Sequence, residues 1–283
     1  SPTSPPTPAW VDPLPEGPFN VLLAGTDTWD DPTTGRPDVM VVAQIGAARD
    51  HVTLVSLPRD AWIPIDGGRE GKANSAYGGD IARLMRTVSA ALGDLPLHAS
   101  ALTGFAGYSA IVDALGRLEG DNTIESTFID PTDGHPSHFP AGRITLSTAD
   151  WLVYARQRKE LPRGDLDRTA RHRAILIGML RRIRELARHD VAALAGVARA
   201  VFAHVAVTGP LTPELALDLA PQLATFDADA VTRLMVPVAG FGDRGGQSVT
   251  LLDAAKTADL AAALASGDAR GYATRTAGDP ATR

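Results

Sequence analysis

The chain of 283 residues contains no cysteine. Disulfides, thiolate zinc sites and cysteine nucleophiles are therefore excluded. The absence fixes no compartment, because secreted and cytosolic proteins alike can do without cysteine. An excess of positive charge is also missing: the formal net charge is −6. Non-specific nucleic-acid binding needs a broad basic surface, so nucleic acid is not expected as a partner, while a local basic pocket stays allowed. No apolar run qualifies as a membrane span. The best stretch, Val191 to Val207, is alanine-rich and carries Arg199 and His204, whereas a spanning helix needs roughly 20 mostly apolar residues. No signal peptide is present, and a natural membrane anchor upstream of Ser1 would not be visible in this chain. There is no G-x-S-x-G elbow to support a serine hydrolase, and no internal repeat.

What is present suits a folded enzyme. Apolar residues make up 44%, enough for a substantial core. Residues 1–18 are proline-rich and read as an extended linker. The run Phe19 to Ala24, ended by Gly25, reads as a buried strand, as do Val39 to Ile45 and Val52 to Leu57. Helical spacing appears over Asp80–Leu92, Ala106–Leu115, Ser147–Arg158, Asp167–Arg188, Val191–Val205, Thr212–Ala220 and Leu252–Ala265. Ser147 or Thr148 is the expected N-cap of its helix. Leu118 to Ile144 reads as loop with one strand near Thr123–Ile129, Val231 to Val236 as a strand, and residues 266–283 as a disordered tail. Continuously apolar strands among helices predict an α/β fold: a mostly buried central mixed sheet covered by helices on both faces, in a single domain over residues 19–265.

Glycine patterns give little. Gly67 to Lys72 is one residue too short for a phosphate loop and reads as a turn. Gly240 to Gly245 matches G-x-G-x-x-G, but no helix opens at its end, so a flexible loop is the better reading. His135 and His138 read as surface loop residues. The acidic and basic clusters say more. Asp27 follows the first strand and Asp38 starts the second, so adjacent strand ends can bring the two carboxylates together. Such a pair suits magnesium, which keeps waters and bridges substrate phosphates; the alternative is a solvated acidic turn. Arg156, Arg158, Arg163, Arg168, Arg171 and Arg173 crowd a short stretch. On a helix, Arg168, Arg171 and His172 fall on one face. Crowded arginines repel unless an anion joins them, and their planar forks suit phosphate; the alternative is an ordinary solvated helix face. Arg181, Arg182 and Arg188 are read as such a face.

Several blocks in order resemble the LytR-CpsA-Psr domain. They are Gly25-Thr26-Asp27, Gly35 to Met40, Ser56 to Asp60, Lys72 to Tyr77, Val112 to Gly116, Pro140-Ala141-Gly142 with Leu146, Tyr154 to Arg158, and Gly164 to Arg171. The likeness covers Phe19 to Ile175 and continues more weakly to Ala265. It implies a membrane-anchored enzyme on the extracytoplasmic face of a bacterial membrane. Such enzymes move a glycopolymer (wall teichoic acid, capsule or arabinogalactan) from a polyprenyl-pyrophosphate carrier onto peptidoglycan, with the lipid in an apolar groove. By position, the resemblance assigns magnesium, with manganese as a substitute, to Asp27 and Asp38. It assigns Arg36, Arg59, Arg156, Arg158, Arg168, Arg171 and His172 to the pyrophosphate, with Arg59, Arg156, Arg158 and Arg168 also catalytic. Asp165 is the candidate base, and Asp60 a candidate for positioning Arg59. The chain departs from the family pattern at His172, where glutamine is usual, at Pro37, and at Arg117 and Asp167. A polyprenyl-pyrophosphate hydrolase and a non-catalytic polyprenyl-phosphate binding module are the alternatives.

Overall fold

The computed structural model describes residues 12–129, 134–158 and 160–282. In chain order, strands β1 (Phe19–Thr26), β2 (Pro37–Ile45) and β3 (Val52–Ser56) lead into a hairpin of β4 (Trp62–Ile65) and β5 (Arg69–Lys72), then helix α1 (Ile81–Ala91). Strand β6 (Ala99–Thr103) and helix α2 (Phe105–Leu115) precede four short strands, β7 (Leu118–Asn122), β8 (Ser126–Ile129), β9 (Pro136–Phe139) and β10 (Gly142–Leu146). Helices α3 (Thr148–Arg156), α4 (Asp165–His189) and α5 (Val191–His204) follow. The chain continues through β11 (Ala206–Thr208), α6 (Pro213–Asp218), α7 (Ala220–Thr225), β12 (Thr232–Met235), β13 (Val238–Arg244), β14 (Gln247–Leu252), α8 (Ala254–Ser266) and α9 (Ala269–Arg275).

The central sheet has six strands in the order β11-β6-β1-β2-β3-β12. The pairs β1–β6 and β3–β12 are parallel and the others antiparallel, so the sheet is mixed. Its strands are apolar on both sides because helices cover both faces. On β2, Met40 and Val42 pack with Leu84 and Val88 of α1 and Leu260 and Leu264 of α8. The alternate residues Val41 and Ala43 pack with Ile177 and Leu176 of α4 on the opposite face. Beyond α4, residues from α2, α3 and α5 form a further apolar cluster around Trp151, Tyr154 and Val112. Ser147 is the cap of α3, in a capping box with Asp150.

Three expectations need correction. The tail is ordered: α9 buries Ala269 and Tyr272 in the core, and Lys256 ties to Asp279 at 2.6 Å. Its apolar spacing, Ala269, Tyr272 and Ala273, forms one helical face that the sheet core can cover. Gly240 to Gly245 is a strand with the start of a hairpin turn, in which Gly245 and Gly246 take positive φ values of 62° and 78°. The stretch from Leu118 to Ile144 is built of short paired strands, β7 with β10 and β8 with β9, rather than loop with one strand. Most of the linker lies outside the described residues, but residues 12–18 are fastened. Leu14 is buried, and Arg49 donates to Asp12 at 2.8 Å, to the Gly17 carbonyl at 2.7 Å and to the Pro15 carbonyl.

Candidate active site

Strand direction brings the site together. Strand β1 ends at Thr26, its antiparallel neighbour β2 starts at Pro37, β3 ends at Ser56, and β6, parallel to β1, ends at Thr103. All four termini lie at one end of the sheet, so Asp27, Asp38, Arg59 and Phe105 issue from the same edge. The register of β1 and β2 slips between Gly25 and Thr26, which pair with Val39 and Pro37 and leave Asp38 without a partner. A bulge of this kind re-aims one side chain out of the ladder. The base of the intervening loop is closed by Asp27, whose amide donates to the Arg36 carbonyl at 3.2 Å and whose Oδ1 accepts from the Arg36 amide at 2.9 Å.

The fifth contributor is the start of α4, a helix of 25 residues. Gly164 precedes it at φ 52°, and Asp165 and Asp167 lie in its first turn, where negative charge suits the helix dipole. Asp167, where the family pattern has glycine, is buried and accepts from the Arg163 amide at 2.7 Å and the Arg163 Nε at 2.8 Å. It serves the helix end, not the cavity. Arg168, one turn in from the helix start, reaches over to Asp38.

Asp38 is clasped by two arginines: Arg59 Nη1 donates to Oδ1 at 2.5 Å, and Arg168 Nη1 donates to Oδ2 at 3.3 Å. Arg168 Nη2 also donates to Asp165 Oδ1 at 2.5 Å. Arg59 Nε lies 3.5 Å from Asp60 and 3.6 Å from Asp165, and Lys72 holds the other oxygen of Asp60 at 2.8 Å. Burial opposes the charge on Arg59, but the hydrogen bond and charge of Asp38, with Asp165 and Asp60 adding to it, hold that guanidinium above its ordinary pKa. Asp60 thus contacts Arg59, as expected. Among the described residues, the Nε atoms of both Arg59 and Arg168 are buried without a hydrogen-bond partner. Buried donors of this kind are costly to leave unpaired, and a phosphate oxygen would satisfy them.

Through Asp38 and Arg168 this cluster borders a cavity of about 510 Å³. Its polar end is formed by Asp27, Asp38, Arg156, Arg168 and His172. Its body is apolar, walled by Ile111 and Leu115 of α2, Ile175 and Met179 of α4, and Val197 and Val201 of α5. The α2–α5 wall closes tightly because Gly107 has no side chain: a Cβ there would meet the His204 carbonyl at 2.5 Å. The alanine-rich stretch that is too polar to span a membrane is thus one wall of this cavity. Arg156 is exposed at the mouth, with its guanidinium carbon 4.8 Å from the centre of the Phe105 ring and no carboxylate partner among the described residues. Phe105 lies outside the residues expected from the sequence; its position directly after a strand and a glycine is the one signal for it.

Other predicted residues go elsewhere. Arg171 shares the helix with Arg168 but not its surroundings. It is buried, donates to Gln157 Oε1 and Ser126 Oγ, each at 2.5 Å, and stacks over Tyr154 at 4.3 Å. It is a structural arginine beside the cavity, drawn there by aromatic rings that a helical-wheel argument cannot see. Arg158 and Arg36 are exposed, and neither guanidinium joins the ion-pair cluster. At the end of α3, Gln157 turns inward in place of Arg158. His172 does line the cavity and is buried, with Nε2 at 3.0 Å from the Ala155 carbonyl, so Nε2 carries the proton. Burial, reinforced by Arg168, pushes its pKa down to about 3 against the pull of that carbonyl, and the ring stays neutral. Arg181 and Arg182 behave as predicted: they pair with Asp121 and Glu185 away from the cavity.

Among the described residues no group of three or more His, Asp or Glu side chains is placed to hold a metal. Asp27 and Asp38 are the carboxylates at the mouth, and the Oδ2 of Asp27 carries no protein hydrogen bond among the described residues. Also among these residues, no helix is long and apolar enough to cross a membrane.

Comparison with known proteins shows the fold and the family. The polyisoprenyl-teichoic acid–peptidoglycan teichoic acid transferase TagU of Enterococcus faecalis is 36% identical over 173 residues, covering 60% of this chain and 55% of that protein. The chain spans about half the length of the curated relatives it matches. The crystal structure of Bacillus subtilis TagV shares the fold, with a TM-score of 0.76 at 21% identity, over 90% of this chain and 98% of the other. A structure of TagT bound to LI-WTA shares it with a TM-score of 0.67 at 20% identity, over 89% and 90% of the two chains. The model of the LytR_cpsA_psr family matches residues 5–265, and the chain belongs to that family.

Proposed function

We propose that this chain is a phosphotransferase that moves a glycopolymer from a polyprenyl-pyrophosphate carrier onto peptidoglycan at the extracytoplasmic face of a bacterial membrane. The observation that carries the reading is the junction of an apolar cavity of about 510 Å³ with an arginine cluster holding buried, unsatisfied donors. That shape fits one class of ligand, a long hydrocarbon chain ending in a multiply charged phosphate group. The relatives named as teichoic acid transferases, and the relative solved with LI-WTA, support the glycan part of the reading.

In this mechanism the hydrocarbon lies along the apolar walls and the pyrophosphate at the mouth. Arg156, free of carboxylates, and the outer edges of Arg59 and Arg168 take the phosphate oxygens. A peptidoglycan hydroxyl attacks the sugar-linked phosphorus, a new phosphorus–oxygen bond forms, and the bond to the lipid phosphate breaks. Polyprenyl phosphate leaves. The hydroxyl proton passes to Asp165 Oδ2, since Oδ1 is committed to Arg168. Arginines held in place by Asp38, Asp60 and Asp165 stabilise the developing charge, which is the main task in phosphoryl transfer.

Two carboxylates with room for waters and phosphate oxygens fit magnesium. Asp27 Oδ2 and Asp38 would hold it, Asp38 loosening one arginine contact to do so. When bound, the ion would neutralise charge on the pyrophosphate and orient it.

The test is in vitro transfer from a defined polyprenyl-pyrophosphate glycan donor to peptidoglycan, with and without magnesium. Glycan joined to peptidoglycan supports the reading. Free glycan phosphate would mark a hydrolase, and binding without turnover a carrier module.

A further inference from the structure

Beside the cavity mouth lies an exposed aromatic residue that the phosphate chemistry does not use. Trp29 is 53% exposed. It is held in place rather than hanging from a loose loop. The Thr28 and Trp29 carbonyls accept from the first amides of α2, those of Phe105 at 2.8 Å and Ala106 at 3.1 Å. The loop seats so closely that a Cβ on Gly104 would meet the Thr28 carbonyl at 2.7 Å. The indole lies against Phe105, with ring centroids 6.0 Å apart, and Arg156 lies over the same Phe105. Trp29 and Arg156 therefore share one neighbour, Phe105, which with Arg156 lines the cavity.

We propose that Trp29 is the stacking platform for the first sugar ring of the glycan donor, the one attached to the pyrophosphate. The inference rests on the reading that Arg156 takes that pyrophosphate. A pyranose has an apolar face of C–H groups that packs on an indole, and a rim of hydroxyls that need acceptors. Acceptors are at hand. Asp30 is exposed next to Trp29, without a hydrogen bond or ion pair among the described residues. Asp31 is engaged with Thr33, and Asp27 closes the loop base. The same carboxylates argue against the indole as an anchor in an anionic membrane surface, where basic residues would surround it. A neutral, hydroxyl-rich ring matches an aromatic flanked by carboxylates.

The test uses the full chain and two matched ligands: polyprenyl pyrophosphate without sugar, and the same lipid bearing a single pyranose. Binding is measured by titration in detergent for the wild type, Trp29→Ala and Trp29→Phe. Trp29→Ala is expected to weaken the sugar-bearing ligand by about tenfold and leave the sugar-free ligand unchanged, and Trp29→Phe to restore most of the loss. Equal loss for both ligands, or loss for neither, overturns the platform. Sedimentation with vesicles of anionic phospholipid is the second arm. Binding to vesicles is expected to be the same for wild type and Trp29→Ala, and a Trp29-dependent difference overturns the proposal in favour of a membrane anchor. If the wild type binds neither lipid, the pyrophosphate reading fails and takes the platform with it. If the wild type binds both lipids equally tightly, the platform alone fails.

Discussion

Asp38 and Arg168 stand 130 positions apart in the chain, and their side chains meet at 3.3 Å. The same carboxylate holds Arg59 on its other oxygen. One aspartate, aimed by a strand bulge, therefore keeps two arginines side by side at the mouth of an apolar cavity. Like charges would otherwise separate them, and the arrangement is ready for an anion before one arrives.

Removing either of two cavity arginines should stop transfer but differ in stability. Arg156→Ala and Arg168→Ala are each expected to lower the transfer rate on the order of 100-fold or more. Arg156 is exposed, so its variant should melt with the wild type, whereas Arg168 is buried in ion pairs and its variant should melt lower. Donor-to-peptidoglycan transfer and thermal melts check both; near-normal transfer by both variants contradicts the site.

Arg171 should behave in the opposite way. Arg171→Ala takes the guanidinium away from Gln157 Oε1 and Ser126 Oγ, leaving these buried groups only the 2.9 Å bond between them, and strips the face of Tyr154. The expected loss is about 2–4 kcal/mol of stability in urea unfolding. Arg171→Lys should rescue little of it, because a single ammonium cannot replace the fork. A stable but inactive Arg171→Ala would return this residue to the phosphate site.

His172→Gln should keep most of its transfer activity, since an amide can donate to Ala155 as the ring does. It should also flatten part of the pH dependence of stability. The folded pKa of about 3 lies below the ordinary 6.5, so between those values the unfolded chain binds a proton that the folded chain refuses. The stability tied to His172 is complete above the higher value and is lost as pH falls toward the lower. Urea unfolding at about pH 7.5 and about pH 5 should therefore show the wild type losing more stability than His172→Gln. Equal losses would mean that the ring is protonated in the folded state.

Gly107→Ala tests the cavity wall. The added methyl would press on the His204 carbonyl and Thr103 Oγ1, at 2.5 Å and 2.3 Å. Parting α2 from α5 should cost about 1–3 kcal/mol of stability. It should also weaken binding of the sugar-free lipid. A thermal melt and lipid titration read the two effects, and an unchanged melt would contradict the close packing.

For the proposed metal, Asp27→Asn is expected to raise the magnesium concentration needed for half-maximal transfer by about tenfold, with partial recovery at high magnesium. A rate that falls without any shift in that concentration would remove Asp27 from the metal and leave it as the loop closure seen with Arg36.

Much was legible from residue order alone. Apolar runs located β1, β2 and β3, and helical spacing found α1, α2, α4 and α5, because burial and periodicity are local properties of sequence. Short strands such as β9 and β10 were not legible, since their pairing partners, not their composition, make them strands. Nor was the ordered end of the chain, where Ala269 and Tyr272 gain a core only once α8 and the sheet are in place.

The site divides along the same line. Residue types and their order determined that carboxylates follow the first strand and arginines crowd the start of a long helix, and family resemblance named most of them. Which arginines meet was decided only by tertiary structure. The helix angle separating Arg168 from Arg171 is small, yet one finds Asp38 and the other finds Tyr154, because a charged side chain settles against the partner that the fold brings within reach. In the same way, the alanine-rich helix α5 gave no functional signal until its valines closed an apolar cavity against α2 and α4, a surface that exists only between elements distant in the chain.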